Sequence, residues 1–395
     1  MPLVFVHGVK TRMSGGYEAG VATRNAMFRQ FLGPVLTTGG GPLEVQNPYW
    51  GDDAAQFAWN LACAPVGDEG TETLGPSGGG PFEALADAAA VDSTATSPSV
   101  LILDLARRDF PAAIDVLFTA AAATSDVDPD ELGRLAVQAA RYAEEPEAPY
   151  WLAEPQTDQQ FVSRLRQELA KNAEHSTETL GIGSIWNAFN EGLDRVHSAA
   201  STVIGKPVWS TVRKTLLPLL ATFVGDVLVY QTRRGTPGEP GAIVTDVLTG
   251  LRAAAAARSD HDPHLVVVAH SMGGIITYDL LSSFVPDLAV DVYVTVGSQV
   301  GLFEELKLFT GSQAQLRTPA HVGALPNVGR WINIYDYNDV LSFRTEPIFD
   351  GAHDFSYGTG NLFAAHTAYV TQPVLHRRLA ARVHDALAEM ATTSQ

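Results

Sequence analysis

The chain has a single cysteine, Cys63, in 395 residues, so no disulfide can form within it. That fits a reducing compartment and excludes a small disulfide-stapled scaffold. Basic residues are scarce: 26 Lys and Arg stand against 44 Asp and Glu, a formal net charge of −18. No basic stripe is visible, which argues against a nucleic-acid partner and against electrostatic attraction to anionic lipid. Long hydrophobic runs are missing too. The stretch "TLLPLLATFVG" at 215–225 is too short to span a bilayer and contains Pro218. The N-terminus, "MPLVFVHGVK", lacks a positive n-region and reads as a strand rather than a signal peptide. The expectation is a soluble, cytoplasmic protein with no transmembrane segment.

What is present is enough apolar material, 46% of residues, for a large core. The two ends of the chain alternate short β-branched runs with helical patterns. Residues 3–6, 42–53, 265–269, 290–296 and 331–336 read as strands. Helical patterns fall at 17–32, 242–258 and 372–391, whereas 99–110 is ambiguous between strand and helix. Between the ends, alanine-rich amphipathic segments dominate at 111–124, 129–145, 158–173, 184–203 and 207–224. Gly- and Pro-rich clusters at 66–81 and 232–241 punctuate the chain. The fold class expected is α/β, with a parallel sheet formed by 1–53 and 240–395 and a helical insertion over 54–239.

One stretch asks for chemistry. In "HLVVVAHSMGGI" a continuous β-branched run stops at Ser271, and helical spacing resumes just beyond Gly274. A hydroxyl at such a strand-to-helix junction stands at the C-terminal edge of the sheet, where α/β folds place their ligands. A serine is a weak nucleophile unless a base, a group orienting that base and donors for the oxyanion stand around it.

"AHSMG" resembles the nucleophile elbow of the α/β-hydrolase fold, in its lipase-like branch, with Ala269 where the usual form has a first glycine. The order of residues after it is also similar. "W-x-N-x-Y-x-x-x-D-V" places Asp339 as the acid of that family's acid loop, and "AAHTAYV" places His366 before the closing helix. The resemblance covers roughly 1–53 and 240–395. It implies a doubly wound, mostly parallel sheet whose helical insertion serves as cap or lid. It further implies Ser271 as nucleophile, His366 as base and Asp339 as the residue orienting it. Asp336 and His353 are the competing acid and histidine. The backbone N–H groups of Met272 and Val9, the latter in an "HGV" matching the family's H-G-x, are the implied oxyanion donors.

His7, Trp50, His270 and Trp209 are the candidate substrate-binding positions; against that stand packing for Trp50 and loop-holding hydrogen bonds for the two histidines. Trp151, Trp186 and Trp209 divide between packing inside the insertion and an apolar acyl pocket. Residues 207–224, with Val208, Trp209, Val212, Leu216, Leu219 and Leu220, form the candidate apolar lid face. "HDPH" at 261–264 reads as a solvated loop, and no metal or other cofactor is expected. The function implied is a serine hydrolase of carboxylic esters, a lipase or phospholipase acting on an acyl ester or lipid. The alternatives are an esterase, thioesterase or acyltransferase on a small polar substrate, or a non-catalytic binding or regulatory protein keeping the fold.

Overall fold

The computed structural model describes residues 3–9, 11–13, 17–37, 42–59, 81–90, 93–95, 97–124, 127–144, 149–172, 182–203, 208–260, 262–358, 366 and 369–393. Six strands make the main sheet. They are β1 (Leu3–Val6), β2 (Val45–Gln46), β5 (Val266–His270), β6 (Val290–Val296), β7 (Val328–Tyr335) and β8 (Ala352–Ser356). Two short strands, β3 (Gly235–Thr236) and β4 (Glu239–Pro240), form a separate hairpin at the Gly/Pro-rich cluster. The main sheet runs β2-β1-β5-β6-β7-β8, and every pairing in it is parallel.

The β-branched runs explain this arrangement. Leu3, Phe5, Val266, Val268, Val292 and Val294 bury on one face, while Val4, Val6, Val267, Ala269 and Tyr293 bury on the other. A parallel sheet covered on both sides needs such near-continuous apolar strands. The register brings Val6 opposite Ala269, so β1 and β5 end side by side. The chain steps outward from β1 to β2 and then returns to β5 on the other side of β1. That reversal opens the crevice where α/β sheets hold ligands.

Helix α1 (Tyr17–Leu36) and the C-terminal helix α12 (Pro373–Thr393) cover the first face. The ambiguous stretch resolves as a short 3-10 turn and helix α3 (Leu101–Arg108), because Leu101, Ile102 and Leu105 bury at helical spacing. Around it lie α2 (Pro81–Ala90), α4 (Phe110–Ala122), α5 (Pro129–Ala143), α6 (Asp158–Asn172) and α7 (Ile182–Val203). These helices form no core of their own. Their buried residues join one hydrophobic cluster with α1, α12 and the sheet. Trp151 and Trp186 are consumed in that packing; Trp151 stacks on Phe161 and donates its indole N–H to Tyr142 Oη at 2.6 Å.

The last helix of the block goes elsewhere. Helix α8 (Val208–Arg233) packs its end on the second face, beside α9 (Ala242–Ala256) and α10 (Met272–Asp279). Two buried aspartates strap it down. Asp226 accepts from Arg12 at 2.8 Å and from the Ala55 N–H at 2.9 Å. Asp279 accepts from Tyr230 Oη at 2.9 Å and from Arg234 at 2.8 Å. The expected insertion therefore contributes to both covering layers rather than standing apart over the sheet edge. Among the described residues, no helix is long and apolar enough to cross a membrane.

Asp158 is fully buried and accepts from the N–H groups of Ile102 and Leu103, at 3.1 and 2.7 Å, and from His197 at 2.8 Å. Its replacement by alanine leaves two buried donors of α3 unsatisfied, which costs about 3 kcal/mol. Denaturant melts of Asp158→Ala should show that loss; a change under about 1 kcal/mol contradicts the capping role.

Candidate active site

Ser271 joins β5 to α10 with φ 55° and ψ −127°, a conformation few non-glycine residues adopt. Its surroundings over-determine it. The Ser271 N–H donates to the Val296 carbonyl at 2.9 Å, and its own carbonyl accepts from Ser298 Oγ at 2.8 Å. The Tyr293 hydroxyl holds the Gly274 carbonyl at 2.8 Å. The glycines are there for want of space. A Cβ on Gly273 would lie 2.3 Å from the Val6 carbonyl, and one on Gly274 would lie 2.3 Å from Ser298 Oγ. A Cβ on Gly8 would lie 2.6 Å from Ser271 Cβ. The loop after β1, with Val9, is thus pressed against the serine, and Met272 opens α10 directly behind it, where first-turn N–H groups have no intrahelical partner.

His366 and Asp339 complete the arrangement. Nε2 of His366 lies 2.7 Å from Ser271 Oγ, and Nδ1 lies 2.9 Å from Asp339 Oδ2. With a proton on Nδ1, the imidazole donates to the carboxylate and accepts from the hydroxyl. All three residues are buried. Asp339 Oδ1 accepts the Leu341 N–H at 2.9 Å, and Oδ2 also accepts from Tyr369 Oη at 3.1 Å. Gly297, at φ 57°, gives that carboxylate and Tyr369 room to close; a Cβ there would lie 2.7 Å from the Tyr369 ring. The acid loop is anchored by the W-x-N motif. Asn333 donates to the Phe343 carbonyl at 3.0 Å and to Asp354 at 2.8 Å, while Trp331 Nε1 donates to Thr295.

The competing residues sit elsewhere. Asp336 closes the turn before Asp339, its Oδ1 accepting the Asn338 N–H at 2.8 Å. His353 lies within β8, 2.6 Å from Arg330.

No protein-family model, curated protein or solved structure matches the chain.

Three of the candidate substrate-binding residues have internal partners. His7 stacks on fully buried Trp50 with ring centres 4.7 Å apart. Both ring nitrogens of His7 are engaged: Nδ1–H donates to the Gly8 carbonyl and Nε2 accepts the Trp50 N–H at 3.2 Å. The indole N–H of Trp50 returns to the His7 carbonyl at 3.0 Å. The pair is a strut for the loop after β1, with no polar atom left for a substrate. His270 likewise turns inward, with Nε2–H donating to the His366 carbonyl at 2.6 Å. Trp209 falls on α8 at a position whose side chain lies outside the described residues, as do the side chains of Val208, Val212, Leu216 and Leu219. His264 of the 261–264 loop lies 3.7 Å from Asp291, and His261 lies outside the described residues.

Tyr369, in the "AAHTAYV" stretch, and Gly8, in "HGV", belong to the sequence resemblance, but their roles as partner of Asp339 and as the gap that admits the serine show only in the fold. Burial pushes His7 and His270 down to about 3, and the neighbouring His366 lowers His270 further. His270 therefore stays neutral beside the ring that would carry a proton.

Those buried imidazoles set a pH dependence. His7, His270 and His376, the last pushed by burial to about 4, stay neutral when folded but take up protons on unfolding below their ordinary 6.5. Their stabilisation is whole above pH 6.5 and is lost as pH falls. Asp115, raised by burial to about 7, acts in the opposite sense over the same range. The net is roughly two protons, so stability falls by about 3 kcal/mol per pH unit between about pH 6 and 4.5. Melting curves across that range should steepen accordingly, and His376→Gln should remove about half of the slope. A melting temperature indifferent to pH there would contradict it.

Proposed function

We propose that the chain is a serine hydrolase of carboxylic esters, similar in fold and site to the lipase-like branch of the α/β-hydrolases. The observation that carries this reading is the hydrogen-bonded line from Ser271 Oγ through both His366 nitrogens to Asp339. In the reaction, Ser271 Oγ attacks the acyl carbonyl carbon while its proton passes to His366 Nε2. The carbonyl π electrons move onto oxygen, which the N–H groups of Val9 and Met272 would receive. When the tetrahedral intermediate collapses, the carbon–oxygen bond to the alcohol breaks and the imidazolium supplies the alcohol's proton, leaving an acyl-enzyme. Water, deprotonated by the same imidazole, then repeats the sequence and frees the carboxylic acid. Asp339 keeps the tautomer and faces the imidazolium charge. The chemistry calls for no metal.

The finer reading is an acyl-chain ester, as in a lipase or phospholipase. Large apolar side chains stand exposed on the loops leaving the functional edge: Met13 beyond β1, and Tyr337 and Val340 beyond β7. Leu220, Val224 and Leu228, four residues apart on α8, present a further exposed apolar line. The α8 line is the surface that would suit an apolar ligand.

Turnover of p-nitrophenyl esters of increasing chain length tests both levels. Wild-type protein should show a burst of nitrophenol and favour the longer chains. Ser271→Ala and His366→Ala should each lose at least about 10³-fold in kcat. Activity confined to acetate would remove the lipid reading, and equal rates for wild type and Ser271→Ala would remove the hydrolase.

A further inference from the structure

The histidine sits on a segment between β8 and α12, and both flanks of that segment meet one side chain of the inserted helices. Asp115 lies in the middle of α4 and is almost fully buried. Its Oδ2 accepts from the Tyr357 hydroxyl at 2.6 Å, and its Oδ1 accepts the Val374 N–H at 3.3 Å. Tyr357 directly follows β8, and Val374 is the second residue of α12, so His366 lies midway in sequence between the two bonds. One turn further along α4, Thr119 Oγ1 meets Thr371 Oγ1 at 3.0 Å. A single helix of the insertion thus grips the chain before and after the imidazole. The charged groups around this point are Asp109, which caps α4, and Arg378 of α12, whose guanidinium lies 5.4 Å from the Tyr357 ring. Glu144, just beyond α5, holds both Arg377 and Arg378 and closes the same junction from the insertion side.

We propose that Asp115 is a positioning residue for His366, clamping the two flanks of the histidine segment through Tyr357 and Val374. The proposal rests on the assignment of Ser271, His366 and Asp339 given above. Its physical basis is the narrow tolerance of that line. Both imidazole contacts are short, and displacing a reacting group by about 1 Å can cost 10²-fold in rate. Bonds at both flanks reduce the conformations open to the chain that carries the ring. A carboxyl suits the task because its two oxygens accept from two flanks at once. The insertion's contribution to the site is therefore mechanical support for the base, in addition to any surface it offers a substrate.

Steady-state hydrolysis of p-nitrophenyl butyrate and thermal melts of Asp115→Ala, Asp115→Asn, Tyr357→Phe and Thr371→Val test this. In variants that still melt cooperatively, kcat should fall about tenfold or more for Asp115→Ala and less for Tyr357→Phe, with KM within twofold of wild type. Asp115→Asn, which keeps one acceptor oxygen, should recover part of the loss. Should Asp115→Ala not fold, Tyr357→Phe and Thr371→Val carry the test. A folded variant with wild-type kcat overturns the proposal. A second readout is independent of turnover: the low-field NMR resonance of the His366 Nδ1–H in its bond to Asp339. It should broaden or vanish in Tyr357→Phe and persist in wild type and in Ser271→Ala. Its full retention in Tyr357→Phe and Asp115→Asn overturns the clamp. Loss of only the Ser271 dependence of turnover would sink the hydrolase reading instead.

Discussion

The arrangement rests on one tight crossing, where the ends of β1 and β5 and the start of α10 come within contact of one another. Ser271 holds a positive φ there, and a backbone in that state persists only when its neighbours leave no alternative. Those neighbours are backbone: the Val6 and His7 carbonyls face Gly273, and the Gly8 Cα faces the serine. The same crossing aims the hydroxyl out of the sheet, presses the loop bearing Val9 against it and sets the N-terminus of α10 behind it. Parallel pairing of β1 with β5 makes this possible, because only adjacent strands of the same direction end together.

The second requirement is an imidazole at the hydroxyl, supplied by His366. It is held by Asp339 and His270 from the sheet side, and its flanks are held by Asp115 and Thr119 from the inserted helices. Neutral His270 and the buried carboxylate of Asp339 give the ring opposite electrostatic neighbours, one indifferent and one attractive. In the proposed reading the fold thus divides labour: the parallel sheet positions Ser271 and Asp339, and the helical block supports His366.

Much of this was legible in the residues themselves. The strands at 3–6, 265–269 and 290–296 stand out because burial on both faces demands unbroken β-branched runs, and the helices stand out by their apolar spacing. Ser271 is marked by flanking residues that must be small, and Asp339 and His366 by the resemblance of their stretches and order to those of the α/β-hydrolases. What stayed hidden depends on contacts remote in sequence. Leu101 to Arg108 carry β-compatible residues, and only the buried partners of their helical face decide the outcome. His7 and Trp50 were open to a substrate role until their mutual stacking and hydrogen bonds used their polar atoms. Asp115 looks like one acid in an alanine-rich helix; nothing local shows that Tyr357 and Val374 come to it. A lid was the natural expectation for an inserted helical block, yet most of these helices bury their apolar faces in the common core.

Reactivity of one hydroxyl is the central claim, and covalent modification reads it most directly. Brief exposure to a fluorophosphonate followed by peptide mass mapping should find one adduct, on Ser271, formed far faster than on any other serine and suppressed when His366 is replaced by alanine. Absence of an adduct from folded protein, or equal labelling of serines outside the elbow, would contradict the account.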